Sequence, residues 1–237
     1  MKRYIPDFIT SMNIACGAVG VIFAFNGRID LAFIFMLAAA VFDFFDGFAA
    51  RALDAYSDLG KELDSLCDCV SFGVLPAVML FNCSNACQFG QSWTSWAVIL
   101  ICVFSALRLA KFNTDPRQTS GFIGLPTPAC AILIGALCYY VAHDPSSVIA
   151  GWMASPVFVP VVSVVMSYLL ISEIPMFSFK FHKGDPRPLV VKRIAMLAVI
   201  VVAVLLCVIF KLNWSLAAVI VMACYIVKNI IYCIFDI

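Results

Sequence analysis

Residues 41–72 read VFDFFDGFAARALDAYSDLGKELDSLCDCVSF. This stretch sets Asp43, Asp46, Asp64 and Asp68 into two strongly apolar runs, with Gly47, Ala50, Arg51 and Gly60 between them. On a helix Asp43 and Asp46, three apart, share a face, and Asp64 and Asp68, four apart, share a face of the next. The 51–62 segment joining the two runs is short, which favours antiparallel neighbours and lets the carboxylate pairs converge. Asp54, Asp58 and Glu62 read as charges of that connecting loop. Ionisable groups inside apolar spans are costly and mark function.

The surroundings of this stretch settle the class of protein. Of 237 residues, 64% are hydrophobic and 12% charged, against about 45–50% and about 25% in soluble domains. The chain is therefore expected to be an all-α, polytopic membrane bundle. Apolar runs of about 20 residues give eight expected spans at 8–25, 31–50, 63–81, 93–112, 126–142, 148–171, 189–210 and 214–235. The N-terminal run follows a basic start, but polar residues interrupt it and no small-residue cleavage site follows. It reads as a retained first span, not a signal peptide.

Charge places the aspartates on one side of the membrane. The net charge is +1 and no basic run resembles a nucleic-acid arm, so no nucleic-acid partner is expected. Threaded through eight spans, thirteen basic residues fall on one side and two, Arg28 and Lys211, on the other. Short loops rich in Lys and Arg stay in the cytoplasm. Both termini and the aspartate stretch are thus expected to face the cytoplasm. The loops are too short for a soluble appendage, leaving one transmembrane domain over 1–237.

Most of the eleven cysteines lie in apolar runs, where Cys behaves as a small hydrophobe. Cys67 and Cys69 adjoin the aspartates but lack zinc-site spacing. Cys83 and Cys87 fall in the 82–92 segment, read as a polar loop on the opposite face, where an oxidising compartment would permit a disulfide.

Four converging carboxylates repel one another unless cations or protons neutralise them. Carboxylate oxygens select hard divalent ions, Mg2+ or Mn2+, with Ca2+ also compatible, and four carboxylates suffice for two ions. Gly47, Ala50 and Gly60 leave room for a flat ligand or a backbone, and Arg51 offers a fork suited to phosphate. Metal beside an arginine and a cavity points to a phosphorylated substrate.

The pattern Asp43-x2-Asp46-Gly47-x2-Ala50-Arg51-x8-Gly60-x3-Asp64-x3-Asp68 is similar, without departure, to the signature of the CDP-alcohol phosphotransferases. That resemblance implies that Asp43, Asp46, Asp64 and Asp68 share two divalent ions and that Asp68 is the general base. It also implies that Asp46, Gly47, Ala50, Arg51 and Gly60 form the CDP site. The family's core is six transmembrane helices, commonly in a homodimer. The core is placed at 1–180, with two further spans at 189–235.

The acceptor is sought further along. The stretch from Ser105 to Asn113, SALRLAKFN, and that from Gly121 to Ala129, GFIGLPTPA, resemble the RLARFN and FxGLPxPA segments of the family's phosphatidylserine synthase branch. Weaker likenesses lie at Thr10 to Gly17, with Asn13, and at Ser172-Glu173-Ile174-Pro175. They imply CDP-diacylglycerol, a membrane lipid, as donor and L-serine as acceptor. Arg108 and Lys111, three apart at a cytoplasmic helix end, supply cations for a carboxylate, and Asn113 completes the expected acceptor or phosphate site. Lys111 stands where that branch usually shows arginine, which keeps the charge but loses the bidentate fork. The 124–128 segment reads as a rigid approach to the fifth span, and Glu173 as an interfacial side chain. An acceptor such as glycerol 3-phosphate or an inositol phosphate calls for more basic residues around the pocket. A cation transporter, the alternative from another class, calls for midplane charges in the later spans.

Overall fold

A computed structural model of the protein describes residues 4–88, 92–115, 117, 122–176, 202 and 213–235. Helices dominate: α1 (Tyr4–Phe25), α2 (Ile29–Ala52), α3 (Asp58–Asp68), α4 (Leu75–Cys87), α5 (Ile99–Thr114), α6 (Thr127–His143), α7 (Val148–Met153), α8 (Phe158–Ile171) and α9 (Trp214–Phe235). Among the described residues, five stretches are long and apolar enough to cross a membrane: Tyr4–Phe25, Ile29–Ala52, Asp58–Cys87, Trp93–Thr114 and Trp214–Ile234. Thr127–His143 and Phe158–Ile171 are shorter apolar helices. The expected span at 189–210 lies outside the described residues.

Several sequence-based boundaries move. The third span starts at Asp58, so Asp58 and Glu62 belong to a helix and not to a loop. Ser57 caps that helix, its hydroxyl accepting from the Gly60 amide at 2.9 Å, one of the donors a helix start leaves open. The link back to α2 is only residues 53–57, with Asp54 at φ +50° making the tight turn. At its other end the same span runs on to Cys87. Cys83 and Cys87 therefore lie one turn apart on a helix and are free thiols. Cys83 donates instead toward the Cys138 carbonyl at 3.7 Å. The sixth expected span is two helices, because α7 ends at Met153 and α8 begins at Phe158.

Between α3 and α4 the chain winds as a π-helix over Cys69–Val74, directly after Asp68. Such wide turns reposition side chains and concentrate at functional sites. Here the wide turn brings Ser71 against Gly17 of α1, where no side chain would fit, and the Ser71 hydroxyl donates to the Asn13 carbonyl at 3.2 Å. The first and third spans are fixed to each other beside the aspartates.

Phe33, Met36, Phe72, Leu75, Met79, Leu80, Ile101 and Ile134 are fully buried between these helices. Phe8, Ile22, Phe44, Phe48, Ile99, Val161 and Tyr168 face outward. A bundle in lipid has this pattern, held by close packing and not by burial of oil from water. Trp214, at the start of α9, stacks on Phe33 and packs on Tyr139 near the end of α6, at centroid distances of 5.6 and 5.1 Å. The last helix is thus docked on α2 and α6.

A short antiparallel pair, β1 (Phe122–Ile123) with β2 (Pro175–Met176), ties the approach to α6 to the segment after α8. The Gly124 amide donates to the Ile174 carbonyl at 2.9 Å and that of Leu125 to Leu169 at 2.8 Å. Gly124 has φ +80°, and a Cβ there would lie 2.6 Å from the Leu170 carbonyl oxygen. Only glycine meets both demands.

Candidate active site

The end of α2 and the length of α3 supply the carboxylates. Asp43, Asp64 and Asp68 each present an oxygen, all within 4.8 Å of one another. Asp46, 6% exposed, stands in the wall of an adjoining pocket with Asp64. The pocket holds about 560 Å³ and is also lined by Gly47, Ala50 and Gly60. The same expected residues thus meet in space, divided between a carboxylate triad and a cavity wall.

Two buried oxygens in this group, Asp46 Oδ2 and Asp64 Oδ1, have no hydrogen-bond partner among the described residues. An unsatisfied buried carboxylate oxygen is expensive, and a hard divalent cation satisfies several such atoms at once. The donor set consists of oxygens, with Cys67 and Cys69 outside it. A divalent, oxygen-seeking ion fits these residues.

Asn13 is a neighbour of the triad to which the sequence pointed only weakly. Fully buried on α1, it donates through Nδ2 to Asp68 Oδ1 at 3.2 Å. A polar residue four before a glycine, immediately ahead of an uninterrupted apolar run to Phe25, is its sequence signal. Pro6, Asp7 and Thr10 of the same helix line the pocket, opposite Tyr56, Ser57, Asp58 and Lys61. Arg51 occupies the last turn of α2, its Nη1 3.8 Å from where a Gly47 Cβ would be.

The three residues expected to meet the acceptor part company. Arg108 turns inward and is 5% exposed. Its Nη1 donates to Thr127 Oγ1 at 3.4 Å, and its guanidinium stands 5.0 Å from the Phe112 ring centroid. Lys111 turns outward and pairs with Glu173 at 3.0 Å. Asn113 crosses to α3, donating to Ser65 Oγ at 2.8 Å and accepting from Lys61 Nζ at 2.9 Å through its carbonyl.

Glu173, read from sequence as an interfacial side chain, is instead the centre of a clasp. Besides Lys111 it takes Arg117 at 3.3 Å, and Arg117 holds Asp115 at 2.8 Å. The hydrogen bond from Lys111, then that from Arg117, hold the Glu173 carboxyl below the ordinary range. Hydrogen bonds to Asp115 and Glu173 raise Arg117 in turn.

The described residues thus form a bundle of apolar helices whose acid side chains gather on a pocket at the end of α2. The chain belongs to the CDP-alcohol phosphatidyltransferase family, whose sequence pattern matches residues 3–172. It is 37% identical over 213 residues to the CDP-diacylglycerol–serine O-phosphatidyltransferase of Mycobacterium leprae, covering 86% of this chain and 68% of that protein. It is 31% identical over 188 residues to the Bacillus subtilis protein of the same name, covering 77% and 95%. Archaetidylserine synthase of Methanothermobacter thermautotrophicus is 30% identical over 162 residues, with 67% of each chain covered.

Proposed function

We propose that the protein transfers the phosphatidyl group of CDP-diacylglycerol to the hydroxyl of L-serine, giving phosphatidylserine and CMP. The observation that carries the chemistry is the convergence of Asp43, Asp64 and Asp68 beside a pocket walled by Asp46, Gly47, Ala50 and Gly60. The names of the relatives support serine as acceptor.

In this reading the pocket takes the CDP headgroup, with Arg51 over a phosphate and Gly47, Ala50 and Gly60 admitting the nucleotide's flat surface. Asp43, Asp46, Asp64 and Asp68 are the ligands for divalent metal, with two ions the number that four carboxylates suit. Bound there, Mg2+ or Mn2+ supplies charge neutralisation for the pyrophosphate and for the departing CMP. Asp68 takes the proton of the serine hydroxyl as that oxygen bonds to the lipid-linked phosphorus. The bond from this phosphorus to the CMP oxygen breaks, and CMP leaves with the electron pair. Asn13 fixes the orientation of Asp68. Arg108 holds the acceptor, with Lys111 and Asn113 ordering the adjacent helix end.

The water-soluble nucleotide and amino acid meet the lipid at the membrane surface. The excess of basic residues on the aspartate side supports placing that surface and both termini in the cytoplasm. A six-helix core at 1–180, two added spans at 189–235 and a homodimer are the organisation that the family likeness supports.

The test is purified protein given CDP-diacylglycerol, a divalent ion and separate labelled alcohols: L-serine, glycerol 3-phosphate and an inositol phosphate. Release of CMP with serine alone is the expected result. Release with a phosphorylated alcohol and not with serine overturns the acceptor.

A further inference from the structure

Along α3 the pocket runs from Gly60 to Asp64, about 6 Å of helix. Asp64, with Asp46 across from it on α2, marks the end where metal and pyrophosphate are placed above. At the Gly60 end the wall is built by Asp7 of α1 and by Ser57, the last residue before α3. Asp7 Oδ1 and Ser57 Oγ are each 3.0 Å from the point that a Cβ on Gly60 would occupy, so the two oxygens stand no further than twice that distance apart. The bare backbone of Gly60 thus seats a carboxylate and a hydroxyl in one corner of the pocket.

The two oxygens differ in what they offer. The backbone carbonyl of Asp7 accepts from the Ser11 hydroxyl at 2.8 Å, but among the described residues no cation pairs with its carboxylate. Lys61, which also lines the pocket, gives its Nζ to the Asn113 carbonyl at 2.9 Å. Ser57 Oγ accepts from the Gly60 amide at 2.9 Å, which leaves its proton to donate. Thr10, another hydroxyl of the lining, has spent its proton on the Pro6 carbonyl at 3.0 Å. The corner therefore sets a carboxylate acceptor beside a hydroxyl donor.

A carboxylate without a cation repels phosphate, so this corner suits the uncharged end of a nucleotide. Cytosine carries an amino donor at N4 beside a ring acceptor at N3, and a carboxylate is the natural acceptor for that amino group. Uracil carries a carbonyl acceptor beside an N–H donor at the same two positions. Its carbonyl would face the Asp7 carboxylate and its N–H the Ser57 proton, and unpaired polar groups of this kind reject an analogue strongly.

We propose that Asp7 and Ser57 read the base of the lipid donor, Asp7 accepting from the cytosine amino group and Ser57 donating to the ring nitrogen beside it. Resting on the reading of the pocket as the CDP site, this assigns the choice of cytidine over uridine to α1 and the α2–α3 link, at residues outside the aspartate pattern.

The experiment uses purified protein with Mg2+ and L-serine. It measures the ratio of kcat/KM for CDP-diacylglycerol to that for UDP-diacylglycerol, and separately the rise in melting temperature that CMP and UMP each produce. A hydrogen bond to a charged group corresponds to about a 10- to 100-fold difference. Asp7→Ala is expected to lower the cytidine preference by that factor, with KM for serine unchanged. Asp7→Asn, whose amide oxygen still accepts, lowers it less. Ser57→Asp keeps a helix cap but loses the proton, and also lowers the preference. Asp58→Ala, at a different carboxylate of the lining, leaves it at the wild-type value. The CMP-over-UMP difference in melting follows the same order.

An unchanged preference in Asp7→Ala and Ser57→Asp overturns the proposal, as does a preference that falls in Asp58→Ala alone. An equal loss with both donors also overturns it, since that marks a merely structural role. Wild-type protein that releases no CMP with serine instead removes the underlying reading of the reaction, while the CMP and UMP melting shifts still test the base contacts, so the two failures are distinct.

Discussion

Asn13 Nδ2 lies 3.2 Å from Asp68 Oδ1 and joins the first span to the last residue of α3. Asn13 is itself held by Ser71, on the π-helical turn that follows Asp68. The backbone that carries the Asn13 amide to Asp68 is thereby tied to the turn that follows Asp68. Hydrogen bonds to charged groups contribute about 1.5–3 kcal/mol. Asn13→Ala is expected to lower kcat/KM about 10- to 100-fold while the protein still folds, as judged by its elution and its melting in detergent.

Metal binding is separable from turnover. If the aspartates are ligands, a saturating divalent ion stabilises the folded state by about 2.7 kcal/mol at 100 times its Kd. Adding Mg2+ or Mn2+ is expected to raise the melting temperature of the wild-type protein, and Asp43→Asn or Asp64→Asn to remove most of that rise. Chelation is expected to abolish CMP release and restored ion to recover it. Equal metal-induced shifts in wild type and both variants would place the ion elsewhere.

Gly124 combines φ +80° with a carbonyl where a Cβ would go. Gly124→Ala is expected to destabilise the protein by about 1–3 kcal/mol, read as a lower melting temperature, because the β1–β2 pair and the start of α6 must both shift. A melting temperature equal to wild type counts against the clasp of the α6 approach onto α8.

Glu173 gives a pH signature. Its carboxyl is held below the ordinary value by Lys111 and Arg117, so its contribution is fully present above the unfolded value of about 4.3. That contribution disappears as pH falls through the lower folded value. Glu173→Gln is expected to melt slightly below wild type at neutral pH and to converge with it in acid. A difference that grows on acidification contradicts the clasp.

The helical class and the gathering of Asp43, Asp64 and Asp68 were legible because both rest on local rules: apolar length for the spans, and three- or four-residue spacing for the faces. What escaped the sequence depends on distant partners. The π-helical turn at Cys69–Val74 arises where Ser71 meets Gly17 and Gly73 meets Ser105, and no local pattern announces it. Arg108 and Lys111 look alike as flanking cations, yet Thr127 draws one inward and Glu173 draws the other outward. The free thiols of Cys83 and Cys87 have the same cause, since a polar composition at 82–92 hid a helix that continues to Cys87.

In the proposed reaction Asp68 serves as the base for serine attack on CDP-diacylglycerol. The most direct measurement is CMP release by purified wild type and Asp68→Asn, each with CDP-diacylglycerol, Mg2+ or Mn2+ and L-serine. Wild type is expected to release CMP only when serine is present. Asp68→Asn should release it at least about 100-fold more slowly, the scale of general-base catalysis. Full activity in Asp68→Asn would contradict the account.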